Sequence, residues 1–183
     1  MTQQKVGPGD ILDFWWKAGE SRWYASDPEF DRDIAARFSA AYEAAAGGEL
    51  DAWAEDAPGC LALIILLDQF SRNMFRKDAK AFAQDGKARS LAHVALDRGY
   101  DRQFPPVARQ FFYLPFMHSE DIDDQSLCVD LFRQLGNQNN YFYALVHMDA
   151  IRRFGRFPHR NAVLGRRSTE AEEAYMASGG FSA

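Results

Sequence analysis

Residues 60–67 read CLALIILL, an unbroken apolar run in a chain whose other helical patterns contain both apolar and polar positions. A helix at the surface of a domain has an apolar stripe on one side, whereas a helix that is apolar on every side is buried. The run is also far shorter than the roughly 20 apolar residues that a membrane-spanning helix needs. We therefore predict that residues 60–67 form the central helix of a folded domain.

Signals for further helices lie on both sides of this run, and signals for strands are almost absent. Asp27, Pro28 and Glu29 supply a capping carboxylate, a fixed φ and an acidic first turn in the right order. Thr169 and Glu172 have the spacing of a capping box. We predict an all-α fold of seven to nine helices, as one domain over residues 1–183, with frayed ends at residues 1–9 and 178–183.

The composition narrows the class of protein. A formal net charge of −5 argues against a general nucleic-acid-binding domain, which is usually basic. The first ten residues are polar and do not resemble a signal peptide, so we expect a cytoplasmic protein that does not enter a membrane. Cys60 and Cys128 lack a CxxC spacing and lie in apolar helical patterns, which favours buried thiols over a disulfide or a zinc site.

A basic segment near residue 160 is the strongest functional signal. Residues 152–169 read RRFGRFPHRNAVLGRRST and hold six arginines, one histidine, one asparagine and no carboxylate. Without those six charges the rest of the chain would carry −11. Guanidinium groups bind carboxylates and phosphates in a bidentate manner, and the N-terminus of the following helix would also favour an anion. The segment therefore predicts an anion site.

Two interpretations of these arginines stay open. The first is a pocket for a phosphate, a carboxylate or an acidic peptide end. Its candidate ligand-binding residues are Arg72, Arg76, His147, Arg156, Arg160, Asn161 and Arg166. The second is internal pairing, because buried charges are generally paired. The carboxylates available for that pairing are Asp68, Glu120, Asp121 and Asp124.

The histidines offer acid–base chemistry as well as binding. His147 lies on the apolar face of a helix, where a histidine is usually a core residue with an internal hydrogen bond, although it could also contact a ligand. His118 or His159, beside Asp68 or Glu120, could act as the general base of a metal-independent hydrolase or lyase. Metal-ligand spacings such as HxxxH and HExxH are missing from the sequence, so we expect neither a metal nor another cofactor.

Together these signals predict a protein that binds a small anionic ligand. A hydrolase or lyase and a protein-interaction scaffold are the alternatives. Neither nucleic acid nor a membrane is expected as a partner. Three aromatic runs, at residues 14–16, 111–113 and 141–143, cannot turn every ring inward from one helix. At least one ring of each run should line a groove, a helix–helix contact or a dimer surface, which leaves a homodimer open.

Three segments resemble a bacterial family catalogued as domain of unknown function 924. They are LDQFSRNMFR at residues 67–76, FMHSED at 116–121 and FGRFPHRNAVLGRRST at 154–169. The resemblance extends from about residue 11 to about residue 175 and implies an all-helical, tetratricopeptide-like fold. It implies no activity, because the family is uncharacterised. The matching positions are Asp68, Gln69, Arg72, Asn73, Arg76, 118–121, 154–161, Gly165, Arg166, Ser168 and Thr169. Ser71 departs from the proline expected at its position, which concerns only the local turn.

Overall fold

The computed structural model describes residues 6–181, and all regular structure in that range is helical. The α-helices are α1 (Pro8–Ala18), α2 (Glu20–Trp23), α3 (Pro28–Ala46), α4 (Ala57–Ile64), α5 (Ser71–Met74), α6 (Asp85–Asp97), α7 (Pro106–Met117), α8 (Ile122–Leu135), α9 (Gln138–Phe154) and α10 (Glu170–Ala177). A π-helical segment, Ile65–Phe70, joins α4 to α5 without a break, so the described residues form nine separate helices. The all-α prediction and its helix count are confirmed.

The central helix predicted from CLALIILL is also confirmed. Each of residues 60–67 is 0 % exposed, and the helix is in contact with α1, α6 and the 3-10 turn Asp51–Glu55. Asp56 caps its first turn by accepting the N–H of Gly59 at 2.7 Å. A Cβ atom on Gly59 would collide with the main-chain carbonyl of Trp53, so glycine permits the close approach of this turn to the helix.

Backbone contacts divide the chain into two compact units, Met1–Phe112 and Tyr113–Ala183. In the first unit, aromatic rings from separate helices pack beside the central helix. Trp15 of α1 lies 5.5 Å from Phe70 and 5.6 Å from Phe111 between ring centroids, and Phe111 lies 4.9 Å from Trp23. Aromatic pairs at such distances add stability beyond the area that they bury. The assignment of the whole chain to one domain stays a prediction.

In the second unit, α8 packs against α9, and a loop at residues 155–169 leads to α10. Asp121 caps α8 by accepting the N–H of Asp123 at 2.8 Å. Gly155 ends α9 in the left-handed conformation, with φ of 67°. Thr169 and Glu172 form the predicted capping box at the start of α10. These caps fix the direction in which the chain enters and leaves the loop.

Both cysteines are buried free thiols, as expected, and burial raises the pKa of Cys60 to about 11. Across residues 6–181, no helix has both the length and the apolar character needed to cross a bilayer. Of the ends predicted to fray, residues 1–5 and 182–183 lie outside the described range. Pro8 and Gly9 belong to α1, and residues 178–181 follow α10, so fraying stays a prediction.

Candidate ligand site

The predicted site residues fall in both units. Asp68 and Arg72 lie in the π segment and in α5, and Arg76 follows α5 in the first unit. The others belong to the second unit. His118 and Glu120 lie between α7 and α8, His147 lies on α9, and Arg156, His159, Arg160, Asn161 and Arg166 lie between α9 and α10.

The two predicted arginines of the first unit are engaged by carboxylates of that unit. Arg72 donates to both oxygens of Asp85 at 3.0 Å and lies 3.3 Å from Asp68. Burial alone would lower the pKa of Arg72, but the two carboxylates outweigh it and raise that pKa. Arg76 donates to Asp31 at 2.8 and 2.9 Å. The assignment of both arginines as ligand-binding residues stays a prediction.

Asp68 occupies the π segment with its carboxylate fully buried. It accepts a hydrogen bond from the Gln69 amide at 2.6 Å and pairs with Arg72 one turn later. Single π-helical turns inside α-helices are rare and occur frequently at functional sites. The buried acid therefore lies in an unusual backbone turn, and this turn was not predicted from the sequence.

Arg156 of the second unit is held by α10. Its Nε and Nη2 atoms donate to the two carboxylate oxygens of Glu172 at 2.6 and 2.8 Å. Glu172 is 2 % exposed and also accepts the Thr169 N–H at 2.7 Å. The Arg156 hydrogen bonds, together with the capping bonds, lower the pKa of Glu172 to about 2. Arg156 and Glu172 therefore lock the loop to the first turn of α10.

Arg166 makes a second bidentate pair, which ties the loop to the segment before α8. It donates to the two oxygens of Glu120 at 2.7 and 2.9 Å, and to the carbonyl oxygen of Phe157 at 3.0 Å. Glu120 accepts the Phe157 N–H at 2.8 Å as well. Burial would raise the pKa of Glu120, but these bonds outweigh it and hold that pKa below its usual value.

Asn161 connects the two pairs. Its side-chain oxygen accepts from Arg166 at 2.9 Å, and its amide lies 3.4 Å from Glu172. Internal pairing is therefore confirmed for Arg156 and Arg166, with Glu120 as a predicted partner and Glu172 as an unpredicted one. The ligand-binding role assigned to Arg156, Asn161 and Arg166 stays a prediction, and in the structure all three hold the loop together.

The histidines of the second unit gather beside this locked loop. His118 lies 6.4 Å from His147 between ring centroids, and Phe157 lies 5.6 Å from His147 and 5.5 Å from His159. The guanidinium carbon of Arg160 lies 4.5 Å from the centre of the Phe157 ring. We call these five residues the histidine cluster.

The polar atoms of the cluster are only partly satisfied. His147 is 7 % exposed, and its Nδ1 lies 2.7 Å from the carbonyl oxygen of Tyr143, so Nδ1 carries the hydrogen and donates it. This contact confirms the prediction of a core histidine with an internal hydrogen bond. The Nδ1 atom of His159 is buried and has no hydrogen-bond partner among the described residues. An unsatisfied buried nitrogen is unfavourable, and such groups call for an explanation.

The buried His147 and the half-buried His159 both resist protonation. Burial, followed by the charge of His118, lowers the pKa of His147 to about 3. Burial, followed by the charge of Arg160, lowers the pKa of His159 to about 4. Both imidazoles are therefore neutral at pH 7, and Arg160 supplies a fixed positive charge beside them. A general base works best when its pKa is near the working pH, so His159 is poorly suited to that role in this state.

A metal centre receives no support from the geometry. Within residues 6–181, no group of three or more histidine, cysteine, aspartate and glutamate side chains is arranged to hold a metal ion. Zinc sites need three or four such ligands at fixed distances.

Three residues at the histidine cluster or in the Arg156–Glu172 pair were not among the candidates from the sequence. Phe157 lies between two imidazoles, and Phe181 lies 4.0 Å from His147 between ring centroids. Glu172 belongs to the run EAEEA, which is typical of a solvated helix face, yet it is buried. Its place in the capping box was the only available signal, because a cap residue lies beside the preceding loop.

Comparison with known proteins identifies the family. The model of a family described as bacterial protein of unknown function (DUF924) matches residues 11–180. The chain belongs to this family. The resemblance in the three sequence segments is thereby confirmed, and residues 11–180 of this DUF924 protein include every candidate site residue. Among curated proteins, none matches the sequence significantly.

A solved structure shares the fold. This DUF924 chain is similar to a protein of unknown function from Agrobacterium tumefaciens, with 46 % sequence identity and a TM-score of 0.91. The similarity covers 94 % of this chain and 97 % of the other. It supports the all-helical architecture over nearly the whole length of the chain.

Proposed function

We propose that this protein binds a small anionic ligand at the histidine cluster, through His118, His147, His159 and Arg160. The observation that carries the proposal is the buried Nδ1 atom of His159, which has no hydrogen-bond partner within residues 6–181 and lies beside the charge of Arg160. An anion with hydroxyl groups or acceptor oxygens would satisfy that nitrogen and interact favourably with the guanidinium group.

The surrounding pairs explain how such a site would keep its shape. Arg156 with Glu172, and Arg166 with Glu120, fix both ends of the loop that bears His159 and Arg160. Each of these pairs is formally neutral, so neither adds net charge to the cluster. Rigid support of this kind keeps binding groups in position before a ligand arrives.

The lowered pKa values give the site a pH dependence with a definite sign. An anion beside His147 and His159 would favour their charged forms and raise both pKa values. Binding would therefore take up protons, and by linkage the affinity should rise as the pH falls from 7.5 towards 5.5. Sulfate is a suitable probe, because its own charge does not change over this range.

The test is calorimetric titration of the folded protein with sulfate at pH 7.5 and 5.5. We expect at least about tenfold tighter binding at pH 5.5, equivalent to about 1.4 kcal/mol. His159→Gln and Arg160→Gln should each reduce the affinity at pH 5.5 by about tenfold or more, because each removes one cationic or ionisable group.

Arg153→Gln is the matched control, because Arg153 is an exposed arginine on the last turn of α9 that pairs with Asp149. It should leave sulfate binding unchanged within about twofold. No heat of binding at either pH, or equal losses in the control and in Arg160→Gln, would reject the site.

A further inference from the structure

The segment that follows α10 places an aromatic ring directly on the histidine cluster. Phe181 lies 4.0 Å from His147 and 5.1 Å from His159 between ring centroids, and 6.3 Å from Phe157. Three rings of the cluster therefore have their centroids within 6.3 Å of the Phe181 ring. Planar groups gain stability from such offset and edge contacts beyond the area that they bury.

The backbone of Phe181 is held by α10, the helix that precedes it. Its N–H donates to the Tyr175 hydroxyl at 3.0 Å, and the residue remains partly exposed. The preceding Gly179 has a φ of 84°, and a Cβ on Gly180 would collide with the Tyr175 ring. The two glycines permit the chain to turn back, so that Phe181 reaches the cluster.

We infer that the ligand carries an aromatic ring next to its anionic group, and that Phe181 occupies the place of that ring when no ligand is bound. The inference rests on the proposed anion site. The anionic group would contact His159 and Arg160, and the ring would lie against His147 and Phe157. Phe181 then competes with the ring of the ligand and lowers the affinity of the protein for it.

A structural role for Phe181 makes a different prediction. The ring also packs against a small apolar cluster of Ala150, Ile151 and Phe157. If it served only as a cover for that cluster, its removal would lower stability and would not distinguish one ligand from another.

The experiment compares phenyl phosphate with methyl phosphate, two monoesters that share the anionic group and differ in the ring. Their affinities are measured by calorimetry at pH 5.5 for the intact chain and for Phe181→Ala. We expect Phe181→Ala to bind phenyl phosphate about tenfold more tightly, because the competing ring is gone. Methyl phosphate should change by less than about twofold.

Phe142→Ala is the control, because Phe142 is a phenylalanine of α9 that is 59 % exposed. It should change neither affinity. If Phe181→Ala proves unstable, Phe181→Leu replaces it, because leucine keeps an apolar cover without an aromatic ring. The affinity for phenyl phosphate should change in the same direction. Equal changes for both probes, no change, or weaker phenyl phosphate binding would overturn the inference while leaving the anion site intact. Failure of both monoesters and of sulfate to bind any variant would overturn the anion site as well.

Discussion

At the scale of single residues, the arginines of the basic loop separate by the partners they have. Arg156 and Arg166 each hold a carboxylate with two hydrogen bonds, and Arg153 forms an exposed pair with Asp149 on the surface of α9. Arg160 lies over the Phe157 ring, and its charge adds to the effect of burial, which lowers the pKa of His147 and of His159. The same residue type thus serves as a clamp, as a surface charge and as a local source of positive potential.

Glu120→Gln tests the clamp that Glu120 forms with Arg166. The substitution keeps the size of the side chain but removes the charge that holds Arg166, while an amide oxygen can still accept from Phe157. Because the pair is partly exposed, at 23 % and 30 % for its two side chains, we expect a loss of about 1–3 kcal/mol in the free energy of unfolding. Urea unfolding at pH 7 measures it.

The matched control for this clamp is Asp149→Asn, which removes an exposed pair whose side chains are 56 % and 49 % accessible. Exposed pairs contribute little, so the change should stay within about 0.5 kcal/mol. Equal losses in the two variants would show that the Glu120 pair is no more than a surface contact.

Single residues also show where prediction from the sequence stopped. The sequence indicated that loop arginines could pair internally and named Glu120, but it missed Glu172, which lies 16 positions from Arg156. It also gave no sign that Phe181 contacts the histidine cluster. Both omissions have one cause: local pattern describes a residue's own helix face, and it carries no information on which distant chain segment covers that face.

At the scale of elements, the local signals were reliable. The capping carboxylate of Asp27 accepts the N–H groups of Glu29 and Phe30, and the Thr169 box begins α10, both at the predicted positions. Caps are predictable because they depend on neighbours within a few residues. The π segment was not predictable, since its residues have ordinary helical propensity and the widened turn depends on tertiary packing.

Gly59→Ala tests the packing of the central helix. The added Cβ would collide with the Trp53 carbonyl, and main-chain atoms cannot move aside cheaply. We expect a loss of at least about 2 kcal/mol in the free energy of unfolding, visible as a lower melting temperature.

Gly86→Ala is the companion variant in α6, where an added Cβ meets no atom of residues 6–181 within 4 Å. A helical alanine restricts the unfolded chain, so this change should stabilise the protein by about 0.5–1 kcal/mol. A similar effect of both alanines would mean that the turn before α4 adapts freely.

At the scale of the whole molecule, stability should depend on pH through the histidine cluster. The pKa of His147 is lowered to about 3 and that of His159 to about 4, whereas both titrate near 6.5 in the unfolded chain. Below pH 6.5 the unfolded chain binds more protons than the folded one. The stabilising effect is therefore complete above that pH and is lost as the pH falls towards the folded values.

We expect the free energy of unfolding to fall between pH 6.5 and 5 by up to roughly 1.4 kcal/mol per pH unit for each histidine. Urea titrations at pH 7, 6 and 5 measure the slope. Carboxylates such as Glu172 contribute only at lower pH, because their ordinary pKa is about 4.5 and binding to Arg156 lowers it.

His147→Gln should reduce that slope by about half, because it removes one of the two histidines whose pKa values are lowered on folding. Equal stability of the unmodified protein at pH 7 and pH 5 would contradict the assignment of His147 and His159 as groups that the fold keeps neutral.

The π segment determines where the central helix can lose a residue. A π turn holds one residue more than an α turn, so deleting a single residue from Ile65–Phe70 would restore regular spacing. The faces of α4 and α5 would stay in phase, which a deletion elsewhere in the helix does not allow. Deletion of Asp68 would therefore remove the buried acid and leave the rest of the central helix in register.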